Sequence, residues 1–153
     1  MLQLSPSASA GEVPSTREVP LETVGGAAAG STSALDGLLV GRPCILCAPM
    51  VRGSELAFRM LVREHGIRAC YTPMLKAEQL VAGGAEELRL LETCDGDRPL
   101  IAQLAGRDPD ALEGAARVVL GALSVDAVDL NLGCPQECAR EGGYGAFLQE
   151  EPL

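Results

Sequence analysis

The chain has 153 residues, an apolar fraction of 47% and a formal net charge of −9. That length suits one domain and that composition supports a core. The acid excess argues against strong nucleic-acid affinity by this segment alone, and Lys76 is the single lysine, with the arginines scattered rather than clustered.

Residues 1–36 are rich in Ser, Ala, Gly and Pro, carry Arg17 as their sole cation and show no hydrophobic period. They read as a disordered leader, with the folded domain beginning at residue 37. Glu12, Glu18 and Glu22 count against an organellar transit peptide, without excluding one. No apolar run approaches the roughly 20 residues of a membrane-spanning helix, so the expected setting is intracellular, cytoplasmic or nuclear, with no membrane partner.

The elements then alternate. PCILCAPM, from Pro43 to Met50, reads as a buried strand. Its Cys44-x-x-Cys47 pair would point to opposite faces of that strand about 10 Å apart, which suits free thiols better than a disulfide or a zinc knuckle. Ser54 is placed to cap a helix running to about Glu64, with Glu55 in its first turn and Gly66 beyond its end. A strand follows over Ala69 to Thr72 and stops at Pro73. Lys76 to Val81 and Ala85 to Glu92 read as short helices split by Gly83-Gly84. Leu100 to Leu104 is a third strand. Asp108 caps a helix that has Pro109 at its first position and Leu112, Ala115, Ala116, Val119 and Leu123 on one face. Ala127 to Leu132 is a fourth strand, with Val128, Leu130 and Leu132 alternating against Asp129 and Asn131.

The order β/α repeated fits a closed barrel or an open doubly wound sheet. Met50, Met74, Gln103 and Asn131 fall at or just past strand C-termini, where parallel α/β folds keep their ligands, and this favours four successive units of a (β/α)₈ barrel. The fourth strand ends at Gly133-Cys134-Pro135, which delivers Asn131 and Cys134 together into a glycine-rich loop. A cysteine thiol is mostly protonated near neutral pH, so Cys134 is a candidate general acid. The one histidine, His65, lies at the expected end of a helix far upstream, which weakens a Cys/His nucleophile. No compact repeat of metal-ligand spacing is present, and no metal site is expected.

NLGCPQ followed by Ala139, Gly142 and YGAFL (Tyr144 to Leu148) resembles the signature of the tRNA-dihydrouridine synthase family. APMV at Ala48 to Val51, SELAFR at Ser54 to Arg59, YTPML at Tyr71 to Leu75 and RPLIAQLAG at Arg98 to Gly106 agree in order and spacing. The resemblance runs from about Pro43 to the C-terminus and is closest to the eukaryotic branch acting at positions 16 and 17 of the tRNA D-loop. It implies an FMN-binding barrel reduced by NADPH or NADH and a tRNA substrate. It assigns Pro49, Met50, Val51 and Gln103 to the flavin, Asn131 to the uracil, and Cys134 to protonation of the uracil double bond as hydride arrives. A full barrel takes about 250 residues, so residues 37–153 are expected to form its N-terminal half, with the flavin phosphate site and tRNA-gripping domain elsewhere. Arg52-Gly53 departs from the commoner family pattern. Two rival readings remain: another flavin-dependent pyrimidine oxidoreductase, and a truncated, non-catalytic half-barrel that binds a partner or nothing; the isolated chain is expected to self-associate.

Overall fold

Short apolar runs closed by Pro or Gly become strands here, and the Ala- and Leu-rich stretches between them become helices. The computed structural model describes Gly37, residues 44–123 and residues 125–150, all within the unit Thr32–Leu153. The leader expected over residues 1–36 lies outside the described residues. In chain order the elements are β1 (Leu46–Cys47), α1 (Leu56–Glu64), β2 (Ala69–Tyr71), β3 (Leu75–Lys76), α2 (Ala77–Val81), α3 (Ala85–Arg89), β4 (Leu100–Ala105), α4 (Pro109–Ala122), β5 (Ala127–Leu130), α5 (Glu137–Gly142) and a 3₁₀ turn over Gly145–Glu150.

All strand pairs are parallel, and β1, β2, β4 and β5 pair in sequence order. With helices on the crossovers, this is the architecture of a partial (β/α)₈ barrel. β4 is central, and every one of its residues is buried, as a strand covered on both faces requires.

β3 was not expected as a strand, because YTPML contains a proline. It continues along the edge of β4 that β2 occupies. Tyr71 faces Ile101 while Leu75 faces Leu104, so the path through Thr72, Pro73 and Met74 holds one residue more than its partner. Pro73 has no N–H to give to a ladder. Thr72 N still reaches Ile101 O at 2.9 Å, whereas Met74 N turns to Met50 O at 3.2 Å. The extra residue acts as a β-bulge, which re-aims a side chain at the end of a strand; here it carries Met74 toward the end of β1. Lys76, expected in a helix, therefore closes β3, and α2 begins one residue later.

The largest core cluster lies between the sheet and α2 and α4, built on Leu75, Leu80, Ala102, Leu104, Ala115 and Val119. Burying a leucine of this kind stabilises by about 1.5–3 kcal/mol. α4 keeps its expected start: Asp108 accepts from Asp110 N at 3.1 Å, and Pro109 occupies the first turn. Its approach to α2 depends on Gly114, where a Cβ would stand 3.0 Å from Val81 Cγ2.

α1 differs from expectation at its start. Glu55, not Ser54, is the cap residue, and no side chain caps the helix. Ser54 is instead fully buried, its Oγ accepting from Met50 N at 3.1 Å and donating to Met50 O at 3.4 Å. The local turn at Gly53, with φ of 119°, aims the hydroxyl back along the chain rather than into the helix. Arg59 of α1 is buried too. Its Nε and Nη2 donate to Asp97 Oδ2 at 2.8 and 2.7 Å, and its Nη1 donates to Ser54 O at 2.7 Å. This desolvated pair ties α1, the turn after β1 and the segment before β4 together; removing one partner of such a pair typically destabilises by about 3–5 kcal/mol.

Candidate active site

The segment beyond β1, the bulge between β2 and β3, Gln103 of β4 and the C-terminal end of β5 open onto one cavity of about 630 Å³. Pro49, Met50 and Val51 form its wall beyond β1, while Gln103, Asn131 and Cys134 line it from β4, the end of β5 and the loop beyond. The structure thus brings all six expected site residues together. Met74, turned inward by the bulge, completes the apolar wall, and Arg52 also reaches the cavity. Arg52 is otherwise exposed, 3.9 Å from Glu86.

The polar floor is a connected relay. Gln103 Nε2 donates to Asp129 Oδ2 at 2.8 Å, and Gln103 Oε1 accepts from Asn131 Nδ2 at 3.3 Å. Asn131 Nδ2 also lies 3.1 Å from Met74 Sδ. Asn131 Oδ1 accepts from the backbone N–H groups of Gly133 and Cys134, each at 3.1 Å. One detail corrects the sequence reading: Gln103 lies inside β4, which runs on to Ala105, rather than at its end. Its neighbour across the ladder is Asp129; Asn131 N continues the ladder to Leu104 O at 2.8 Å, and the two amides meet through their side chains.

Asp129 is the site residue that sequence reasoning missed. The signal was present: in a strand, residues two apart share a face, so a mouth-facing Asn131 implied a mouth-facing Asp129. Its charge is felt across the sheet at Tyr71, whose phenol is pushed up first by burial and then by Asp129.

Cys134 is half-buried and packs with Met74, Ala105, Ala139 and Tyr144. Its carbonyl accepts from Ala146 N at 3.1 Å. The segment expected to be a glycine-rich loop is largely helical, with α5 ended by Gly143 in the left-handed region, φ 64°, and the 3₁₀ turn beginning at Gly145. Tyr144 is buried beneath it. Its hydroxyl lies 3.7 Å from Cys138 Sγ, and burial, reinforced by that thiol, pushes it up to about 12.

The described cysteines are all free thiols, Cys44 and Cys47 among them. His65 is exposed and caps the C-terminus of α1, the end that returns to the start of β2 and so lies away from the mouth that carries Cys134. Among the described residues no group of three or more His, Cys, Asp or Glu could hold a metal ion, and no helix is long and apolar enough to cross a membrane.

Residues 46–153 match the family model described as dihydrouridine synthase (Dus). The chain is 52% identical over 106 residues to a tRNA-dihydrouridine(16/17) synthase-like protein of Rattus norvegicus, covering 68% of this chain and 24% of the relative. It is 46% identical over 115 residues to the tRNA-dihydrouridine(16/17) synthase of Saccharomyces cerevisiae, covering 73% and 27%. It is 45% identical over 107 residues to a tRNA-dihydrouridine(20a/20b) synthase-like protein of Homo sapiens, covering 70% and 33%. All three are named for NAD(P)+, and the chain spans about a quarter to a third of their length. With the matched segment taking in every strand, the amide relay and the Cys134 loop, the chain belongs to the dihydrouridine synthase family.

Proposed function

We propose that residues 37–153 form the part of a tRNA-dihydrouridine synthase that carries the flavin wall and the proton donor, acting on uridines 16 and 17 of the tRNA D-loop. The observation that carries this reading is the single cavity lined by Pro49, Met50, Val51, Gln103, Asn131 and Cys134. A flat heteroaromatic cofactor fits it. Pro49, Met50, Val51 and Met74 offer apolar contact, and the Gln103 amide keeps one N–H and one lone pair beyond those spent on Asp129 and Asn131. FMN, when bound and reduced by NADPH or NADH, supplies the hydride that saturation of uracil requires.

The chain's own residues do the rest. Asn131 stands at the cavity floor beside Cys134 and would hold the uracil edge. The Cys134 thiol would give its proton to the carbon next to the one that receives hydride, the role of a general acid. A base must leave its stack to enter such a cavity, and the tRNA partner would be gripped by cationic surface that this acidic segment does not offer.

Relatives named for 16/17 are 44 to 52% identical and relatives named for 20a/20b 40 to 45%. The upper end of the first range supports the 16/17 assignment. The experiment expresses the protein at the length of its relatives, reads flavin absorbance, and maps dihydrouridine by mass spectrometry of an unmodified tRNA treated with NADPH. Bound FMN with conversion at 16 and 17 is expected. A colourless protein, or uridines left intact, overturns the reading.

A further inference from the structure

We propose that Asp129 is a positioning residue whose charge sets the polarity of the amide relay and thereby the place of Cys134. An ionised carboxylate only accepts hydrogen bonds, whereas each amide can present either a donor or an acceptor. Gln103 and Asn131 could in principle sit either way round. Asp129 Oδ2, 2.8 Å from Gln103 Nε2, removes that freedom. Gln103 must turn its Oε1 to Asn131, which must answer with Nδ2 at 3.3 Å. Asn131 Oδ1 is then left facing the loop, where Gly133 N and Cys134 N both donate to it at 3.1 Å.

The reverse order cannot hold this loop. With both amides inverted, Asn131 would direct Nδ2 at two backbone N–H groups, donor against donor, and a buried donor left without an acceptor is strongly disfavoured. The loop would leave, and Cys134 with it. Asp129 thus acts on the thiol through three successive hydrogen bonds without touching it. The register supports the assignment independently: Asp129 is the ladder partner of Gln103 and lies two residues before Asn131, so both face the same mouth.

The consequence for catalysis rests on the reading of Cys134 as proton donor. The relay itself does not, and alkylation of the thiol reads the relay alone, so failure of one is distinguishable from failure of the other. The full chain is treated with iodoacetamide and the modification rate of each cysteine is followed by peptide mass spectrometry. Exposed Cys94 serves as a reference for reagent access and buried Cys70 as a reference for global opening.

Asp129→Ala is expected to raise the Cys134 rate about fivefold relative to Cys94, the population change that loss of one net hydrogen bond produces, with Cys70 unchanged. Asp129→Asn, which can offer Gln103 either an oxygen or an N–H and so no longer fixes the polarity, is expected to fall between the parent and Asp129→Ala. Asn131→Asp keeps an oxygen facing both loop N–H groups whichever way Gln103 turns, so adding it to Asp129→Ala is expected to return the Cys134 rate to within about twofold of the parent. A double variant as reactive as Asp129→Ala alone, an unchanged Cys134 rate in Asp129→Ala, or Cys70 reacting along with Cys134 would each overturn the proposal, the last by assigning Asp129 to the fold.

Discussion

Gly145 is pressed against Cys134: a Cβ at Gly145 would stand 2.5 Å from the Cys134 carbonyl oxygen and 3.0 Å from its Cβ. Eleven positions apart in the sequence, the two ends of the NLGCPQ and YGAFL strings form one turn around the thiol, closed by Ala146 N donating to Cys134 O. Gly145 also has φ of 69°, so a side chain there meets both a steric wall and an unfavourable backbone. Gly145→Ala is expected to destabilise by about 1–3 kcal/mol and to displace Cys134. Chemical denaturation checks the first effect and iodoacetamide labelling of Cys134 the second; a variant as stable as the parent with unchanged labelling would count against the contact.

Under the proposed function, Cys134→Ala should separate proton transfer from cofactor binding. In a flavin-loaded form the variant is expected to keep its yellow colour, since Pro49, Met50, Val51 and Gln103 are untouched, and to lose about 10²- to 10⁴-fold in dihydrouridine formation. Single-turnover conversion of tRNA measures this directly. Undiminished turnover would remove Cys134 from the acid role.

Alkali should destabilise the fold through its buried weak acids. Burial, opposed by the Arg63 guanidinium, raises Cys70 from 9.0 to about 11. Between those values the unfolded chain has lost the proton and the folded chain has kept it, so unfolding releases a proton and stability falls as pH rises. The slope is about 1.4 kcal/mol per pH unit for each such group, and Cys70 contributes no pH dependence below 9.0. Urea unfolding at pH 8 and pH 10.5 should show the loss in the parent and a smaller loss in Cys70→Ala. Equal losses would mean that Tyr144, shifted from 10.0 to about 12, and other groups carry the effect.

Val128 and Leu130 of β5 and Leu132, two residues past it, have 38, 42 and 43% of their surfaces exposed. Among the described residues β5 pairs only with β4, and an exposed apolar strand edge invites pairing with another chain. The 153-residue chain is expected to self-associate in a concentration-dependent way, and the double substitution Val128→Lys with Leu130→Lys is expected to shift it toward monomer. Sedimentation velocity reads both; a parent that is monomeric at all concentrations would reject the expectation.

The sequence by itself determined the β/α order, the Asp108-Pro109 start of α4, the glycine stops at Gly66 and Gly83, and the membership of Cys134, Asn131 and Gln103 in one site. These follow from local rules, since hydrophobic period, capping chemistry and strand alternation are properties of neighbours along the chain. Only the tertiary structure decided the bulge at Thr72, Pro73 and Met74, the inward turn of Ser54, the burial of Arg59 against Asp97 and the contact of Gly145 with Cys134. Each depends on which distant backbone lies opposite, and register between strands is set by packing of the whole sheet rather than by either strand alone. The same holds for Asp129. Its alternation with Asn131 was legible, but its bond to Gln103, and through it the orientation of the Cys134 loop, exists only because β4 and β5 pair with Gln103 facing Asp129.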